Sequence, residues 1–271
     1  MRIFSVIVLT AVCLLFCGAA STPEKSYELP IIMYHSVNKY NTGDYVIHPD
    51  KLESDLQWLS AHNYTGIFSS ELISFTEGKK DLPEKPVIIF FDDGFYNNLI
   101  YALPLLEKYN FKAMIAIVGE YCDNEKGQRQ SVYYSYLNWE QVKEVSESGL
   151  IEIVSHTYFL HRYGIKNKTL LKEKDESEKE YCDRMYADSE KLSEKIKEAT
   201  GKYPDSFCYP YGRYSAASEK LLNKLGFKAT YTCNEHINKV MRGKTPSLLG
   251  RYNRSGKYST QYFFREKMKL K

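Results

Sequence analysis

The sequence has no run of basic residues and little imbalance of charge. Its 37 lysines and arginines stand against 34 aspartates and glutamates, which gives a net charge of +3. Nucleic-acid-binding domains usually present a basic patch or stripe, so this balance argues against nucleic acid as a partner. The chain is not depleted in apolar residues either, at 43% hydrophobic, so it is not expected to be disordered. Without an internal repeat or a low-complexity tract, we predict one globular domain.

Long hydrophobic runs are also scarce, and the one that stands out spans residues 3–16. Arg2 precedes it, and the small residues Gly-Ala-Ala follow at 18–20. This pattern is typical of a secretory signal peptide and is too short for a comfortable membrane span. An uncleaved N-terminal anchor is the alternative, and lipidation at Cys17 is disfavoured by the bulky Phe16 before it.

These features predict a signal peptide over residues 1–20, a short linker over 21–29 and a single folded domain over 30–271. No second segment is apolar enough to span a bilayer. The mature protein is therefore expected to be secreted or held at the cell surface, without a membrane span.

Cysteine is sparse and forms no C-x-x-C pair. Two of the six cysteines would leave with the signal peptide. The remaining Cys122, Cys182, Cys208 and Cys233 allow three disulfide pairings in an oxidising compartment, and they are equally compatible with reduced core residues.

Apolar runs of strand length alternate with segments of helical period along the domain. The runs fall at residues 30–34, 64–68, 86–91, 112–118, 150–154, 206–209, 227–232 and 248–252. Helices are predicted at 50–61, 97–109, 138–148 and 216–225, and in the second half of the charged stretch 166–200. This alternation predicts an α/β fold: a single distorted (β/α) barrel of seven or eight parallel strands, with reactive residues at the carboxyl ends of the strands.

Two adjacent carboxylates, Asp92 and Asp93, follow the strand predicted at 86–91. Neighbouring carboxylates at the end of a buried strand repel each other and lose hydration, unless a cation binds one or one holds a proton. A pair of helix N-cap residues is the simpler explanation when such a pair stands alone.

Two histidines favour a cation site over a pair of helix N-cap residues. His156 ends the strand predicted at 150–154, and His161 follows five residues later, which is the wrong spacing for one face of a helix. One imidazole at a strand end and one on the next loop can still converge on a metal. Two histidines, a carboxylate and an open water position form a known catalytic metal set.

Two further strand ends carry polar or aromatic groups. The turn around Tyr211, flanked by Pro210 and Gly212, could aim a backbone N–H at an oxyanion, although it could equally be a packed turn. His35 follows the first predicted strand and would reach the same rim.

Taken together, these motifs resemble those of the polysaccharide deacetylases, the NodB-homology domain of carbohydrate esterase family 4. The resemblance rests on Phe91-Asp92-Asp93-Gly94, on the segment from His156 to His161, and on Tyr209-Pro210-Tyr211-Gly212. The order and the intervals agree, and the resemblance covers the chain from about residue 30 to 254.

The resemblance implies a role for each matching residue. Asp93, His156 and His161 resemble the metal ligands. Asp92 resembles the general base, and the backbone N–H of Tyr211 resembles the oxyanion donor.

Three departures from the family pattern matter. Four residues rather than three separate the histidines, as in a subgroup that includes the poly-N-acetylglucosamine deacetylases. In that subgroup an N-terminal Tyr-His pair replaces a late Leu-x-His motif, which implies that His35 is the general acid. Cys208 stands where an arginine often opens the proline motif, and Arg251 is the candidate for the missing positive partner of Asp92.

The implied activity is metal-dependent removal of N- or O-linked acetyl groups from a cell-wall or extracellular polysaccharide. Zn²⁺ is the expected metal, and Co²⁺, Ni²⁺ or Fe²⁺ suit the same donors. Two other classes remain open: a carbohydrate-binding surface protein that has lost the chemistry, and a non-haem iron oxygenase, which also uses two histidines and a carboxylate. The sequence leaves the particular polysaccharide and the oligomeric state open.

Overall fold

The structure is a computed structural model that describes residues 25–162, 164 and 169–271. The predicted signal peptide, residues 1–20, lies outside these residues. Within the described part of the chain, no helix is long and apolar enough to cross a membrane.

The strands are short, and most fall where the apolar runs predict them. They are β1 Ser26–Leu29, β2 Ile31–Tyr34, β3 Ser36–Val37, β4 Val46–Ile47, β5 Thr65–Gly66, β6 Pro86–Asp93, β7 Ala113–Ile117, β8 Ile151–Ser155, β9 Ser206–Cys208, β10 Ala229–Tyr231, β11 Asn238–Met241 and β12 Tyr252–Asn253.

One curled sheet of seven parallel strands organises the fold, in the order β10-β9-β8-β7-β6-β2-β12, and β5 pairs with the start of β6. The sheet forms a half-barrel. The segment around β12 links the two edges of this half-barrel. Leu249 makes a parallel bridge to Tyr231 of β10, and Tyr252 of β12 pairs with Ile32 of β2. The predicted distorted (β/α) barrel of seven or eight parallel strands is thereby confirmed.

Helices connect the strands and cover the outside of the sheet. They are α1 Pro49–Ala61, α2 Ser69–Thr76, α3 Leu103–Tyr109, α4 Gly119–Asn124, α5 Trp139–Glu147, α6 Glu178–Thr200 and α7 Ala216–Lys224, with π-helical turns at Asn98–Ala102 and Tyr262–Lys267. The long helix α6 begins where the Ser177 side chain accepts the N–H of Glu180, and it ends at Gly201, which adopts φ +77°.

Strand β6 shows how the pleat divides the core. Successive side chains on a strand point to opposite faces. Ile88 and Phe90 belong to the cluster inside the barrel, whereas Ile89 and Phe91 pack in the cluster under the helices. Asp92 continues the inward series, so its carboxylate enters the barrel rather than the solvent.

One strand lies before the predicted start of the folded domain at residue 30. Residues 26–29, assigned above to the linker, form β1, which pairs antiparallel with β11. The reason is visible in the alternation: Tyr27 and Leu29 are buried while Ser26 and Glu28 are exposed. The four remaining cysteines, Cys122, Cys182, Cys208 and Cys233, are all free thiols.

Candidate metal and catalytic site

The two aspartates at the end of β6 face different surroundings. Asp92 is 2% exposed and lies inside the barrel. Asp93 adopts a left-handed φ of +70°, and the glycine after it also has a positive φ. This turn breaks the alternation of the strand and brings Asp93 to the rim. One carboxylate is therefore enclosed while its neighbour stands at the mouth of the barrel.

Asp92 is held by Arg251 in a fork of two hydrogen bonds. Arg251 Nη1 donates to Oδ1 at 2.7 Å, and Nη2 donates to Oδ2 at 2.9 Å. Arg251 is fully buried, and its Nε donates to the carbonyl of Thr232 at 3.0 Å. Burial opposes the ionisation of Asp92, but the guanidinium of Arg251, together with His156 and His35, outweighs it and holds the pKa of Asp92 below its usual range.

Asp93, His156 and His161 form a cluster at the rim. One ligand atom from each residue lies within 4.8 Å of the others. His156 Nε2 is 3.6 Å from Asp93 Oδ1, and His161 Nε2 is 3.3 Å from the same oxygen. Three donors converging on one point is the arrangement that a catalytic metal with an open position requires.

The electrostatics of this cluster suit a cation. Burial and the neighbouring Asp92 raise the pKa of Asp93 to about 7, because the charged form of Asp93 is poorly hydrated and is repelled by the Asp92 carboxylate. Burial lowers the pKa of His156 to about 4, and burial together with His156 lowers that of His161 to about 3. Both imidazoles are therefore neutral near neutral pH, which is the form that binds metals.

Neighbouring groups orient both imidazoles. His156 Nδ1 lies 2.7 Å from the carbonyl oxygen of Cys208, so this nitrogen carries the proton and Nε2 is left with its lone pair facing Asp93. His161 Nδ1 lies 3.4 Å from the hydroxyl of Tyr121, and its ring packs against Tyr211 with centroids 4.8 Å apart. The residues present thus fit a divalent metal in donor type, protonation and orientation.

His35 lies where β2 ends, on the same side of the sheet. Its ring packs against Tyr45 with centroids 4.8 Å apart, and its carbonyl accepts a hydrogen bond from Asn98. His35 Nδ1 is buried and has no hydrogen-bond partner among the described residues. Burial lowers the pKa of His35 to about 4, although Asp92 acts in the opposite direction. His35 is therefore neutral near neutral pH in this structure.

Tyr211 occupies a strained turn beside the cluster. It adopts φ +56° within the short 3-10 turn Pro210–Gly212. Gly212 follows at φ +66°, and a Cβ there would lie 2.6 Å from the backbone nitrogen of Cys233, so only glycine fits. Left-handed non-glycine residues occur at Asp93, Thr157 and Tyr211 alike, and such strain is concentrated at functional sites.

The structure also shows polar residues around the site that the sequence analysis did not single out. Asp188 of α6 bonds to the loop between His156 and His161. Its place on the apolar stripe of α6, between Met185 and Leu192, was the available clue. A second buried pair, Asp55 and Arg254, holds Tyr34 beside His35 but had no recognisable sequence pattern.

A half-barrel of parallel strands with reactive groups at their carboxyl ends defines the (β/α)-barrel class. A family model, described as polysaccharide deacetylase, matches residues 79–230, more than half of the chain. The chain therefore belongs to the polysaccharide deacetylase family. His35 and Arg251 lie outside the matched residues.

Individual relatives agree with this family. The chain is 27% identical over 231 residues to the poly-beta-1,6-N-acetyl-D-glucosamine N-deacetylase of Escherichia coli, covering 74% of this chain and 34% of that relative. YxkH of Bacillus subtilis is 30% identical over 212 residues, covering 77% of this chain and 66% of YxkH. The solved de-N-acetylase from Aggregatibacter actinomycetemcomitans superposes with a TM-score of 0.73 at 25% identity, covering 86% of this chain and 97% of that one. The chain thus spans about a third of the length of the Escherichia coli relative.

Proposed function

We propose that this chain is an exported, metal-dependent hydrolase that releases acetate from an N-acetylated amino-sugar polysaccharide. The observation that supports it most directly is the buried ion pair of Arg251 and Asp92. Asp92 is the sequence neighbour of Asp93, which belongs to the Asp93–His156–His161 cluster. The names of the relatives make poly-β-1,6-N-acetylglucosamine the first substrate to test. Export rests on the signal peptide predicted over residues 1–20.

Asp93, His156 and His161 would hold the metal, and Zn²⁺ is the simplest choice for two nitrogens and one oxygen. Co²⁺, Ni²⁺ or Fe²⁺ would suit the same donors. When bound, the metal supplies Lewis acidity, which makes water a better nucleophile and polarises a carbonyl oxygen.

The other residues of the chain would handle protons and charge. Asp92, kept ionised by Arg251, accepts the proton of the attacking water. The backbone N–H of Tyr211 donates to the oxygen that becomes negative when the acetyl carbon turns tetrahedral. His35 delivers a proton to the departing amine. Because His35 is neutral at rest, the proton that it delivers is the one that Asp92 takes from the attacking water and passes on to His35, which returns Asp92 to its ionised form.

The direct test is acetate release by the mature protein loaded with Zn²⁺ or Co²⁺. The substrates are β-1,6-linked N-acetylglucosamine oligomers, β-1,4-linked chito-oligomers and O-acetylated xylan. We expect chelator-sensitive acetate from an N-acetylated oligomer. Stoichiometric metal without acetate from any of the three would contradict the proposal and favour a carbohydrate-binding role.

Asp92→Asn tests the base. Removing one general base typically slows turnover about 10²–10⁴-fold, while Asp93, His156 and His161 stay in place to bind metal. Metal content and circular dichroism of the variant, measured beside kcat, separate loss of chemistry from loss of the fold. Wild-type turnover in a folded, metal-loaded variant would remove Asp92 from the mechanism.

A further inference from the structure

The loop between His156 and His161 decides where the second histidine points. It consists of residues 157–160 and starts with Thr157 at φ +73°. A loop of this length has many conformations, and only a few of them return His161 Nε2 to within 3.3 Å of Asp93. Contacts from helices α4 and α6 fix the loop in such a conformation.

Helix α4 holds the first half of the loop. Gly119 N donates to the carbonyl of Thr157 at 3.2 Å, and Glu120 N donates to that of Tyr158 at 2.8 Å. The Tyr158 hydroxyl donates to Asp123. These bonds satisfy carbonyl groups of the loop and leave its N–H groups to be paired from the other side.

Asp188 of α6 pairs those N–H groups. Its Oδ2 accepts the N–H of Tyr158 at 2.9 Å, and its Oδ1 accepts the N–H of Phe159 at 2.7 Å. Burial raises the pKa of Asp188 to about 6, and the N–H groups of Tyr158, Phe159 and Leu160 act in the opposite direction. Asp188 is only 8% exposed, and no salt bridge to it is found among the described residues. A buried charge is costly unless it is well hydrogen-bonded, and successive backbone N–H groups provide such a site for an anion.

We propose that Asp188 is a positioning residue for the metal ligand His161. Its two carboxylate oxygens bind consecutive N–H groups and so set the conformation of residues 157–160, which contain the one extra residue of this histidine motif. The inference rests on the proposed metal site. It also accounts for the carboxylate that lies on the otherwise apolar stripe of α6, between Met185 and Leu192.

An amide cannot replace this carboxylate. Asn has nearly the same shape as Asp, but its NH₂ group would face one of the two N–H donors, and two donors cannot bond to each other. Asp188→Asn therefore perturbs the loop with little change in packing, and Asp188→Ala removes both acceptors. Ile196→Ala is the matched control, because Ile196 is buried on the same face of α6, two turns away.

The experiment measures Co²⁺ and Zn²⁺ affinity by competition with a chelating dye, together with the absorption spectrum of bound Co²⁺. Loss of a group that orients a ligand typically weakens metal binding about 10–100-fold. We expect that loss in Asp188→Asn and Asp188→Ala, with an altered Co²⁺ spectrum, while Ile196→Ala melts earlier but binds metal as the wild type does.

A His161→Ala background tests whether Asp188 acts through this histidine. There, Asp188→Asn should weaken the residual metal affinity less than about twofold, because the ligand it positions is gone. The inference about Asp188 would be overturned, and the proposed function left intact, by either of two results. One is an equally large loss of metal affinity in the His161→Ala background, and the other is metal binding by the Asp188 variants within about twofold of the wild type. Failure of the wild-type protein to bind either metal would overturn the proposed function and this inference with it.

Discussion

Arg251→Met tests whether the buried ion pair at the site is needed for stability. Arg251 is fully buried and Asp92 is 2% exposed, so the variant leaves a carboxylate in the barrel without its cation. Breaking a buried pair in this way costs about 3–5 kcal/mol of unfolding free energy. Methionine fills part of the space of the arginine stem, so the loss comes mainly from the unpaired charge.

The effect should depend on pH in a defined direction. In the wild type the pKa of Asp92 is depressed, so the stability it confers is present above its unfolded pKa of about 3.9 and is lost below it. In Arg251→Met the largest opposing charge is gone, so we expect burial to raise the pKa of Asp92. The penalty then applies above that raised pKa and is relieved as the pH falls. The difference between the two proteins should shrink from about pH 8 towards about pH 5.

The assay is urea unfolding of metal-free protein for the wild type, Arg251→Met, Asp92→Asn and the double variant. Each single variant leaves one buried charge unpaired, whereas the double variant leaves none. The losses should therefore fall short of additivity by about 2–3 kcal/mol. A loss below about 1 kcal/mol for Arg251→Met that is additive and independent of pH would refute the reasoning.

Two further changes test other buried contacts. Burial raises the pKa of Glu152 to about 7, above its unfolded value of about 4.3, so the fold loses stability as the pH rises between these two values. Glu152→Gln removes this loss and should unfold at higher urea than the wild type at about pH 8, by about 1–3 kcal/mol, and at nearly the same urea at about pH 4.5. Equal midpoints at the higher pH would show that the Glu152 carboxylate is adequately solvated. An added Cβ at Gly119 would lie 2.3 Å from the Tyr158 ring, so Gly119→Ala should cost about 1–3 kcal/mol and weaken metal binding. Gly43→Ala, with nothing within 4 Å of its methyl group, is the control, and equal melting of the two variants would contradict the close contact.

The sheet could be predicted from the sequence because its strands are buried on both faces. The run at 86–91 is apolar throughout, as a parallel strand covered by helices must be, and β6 occupies it. β1 and β11 were missed because each is four residues long and they pair across more than 200 positions. Short helices such as α2 and α4 present too few turns to show a period.

Some residues of the candidate site could likewise be predicted from the sequence, and others could not. Asp92 and Asp93 are the last residues of β6 and His156 directly follows β8, so their common edge follows from the fold. The contact of Arg251 with Asp92 spans 159 positions and depends on how the barrel closes, which local pattern does not determine. Asp188 lies in the charged stretch 166–200, where its position on the apolar stripe is a weak signal, and the packing of α6 on the histidine loop is what shows the role of its carboxylate.

The closure of the barrel through Leu249 and β12 has a consequence for how the protein matures. The proposed metal ligands lie between positions 93 and 161, but the cation that balances Asp92 arrives with the segment that links the edges of the sheet. A polypeptide still emerging, or one cut before residue 250, would contain every proposed ligand yet lack Arg251, the partner of the proposed base Asp92. On the proposed mechanism, the charge state of the base would then depend on how the barrel is completed, whereas the composition of the proposed ligand set would not.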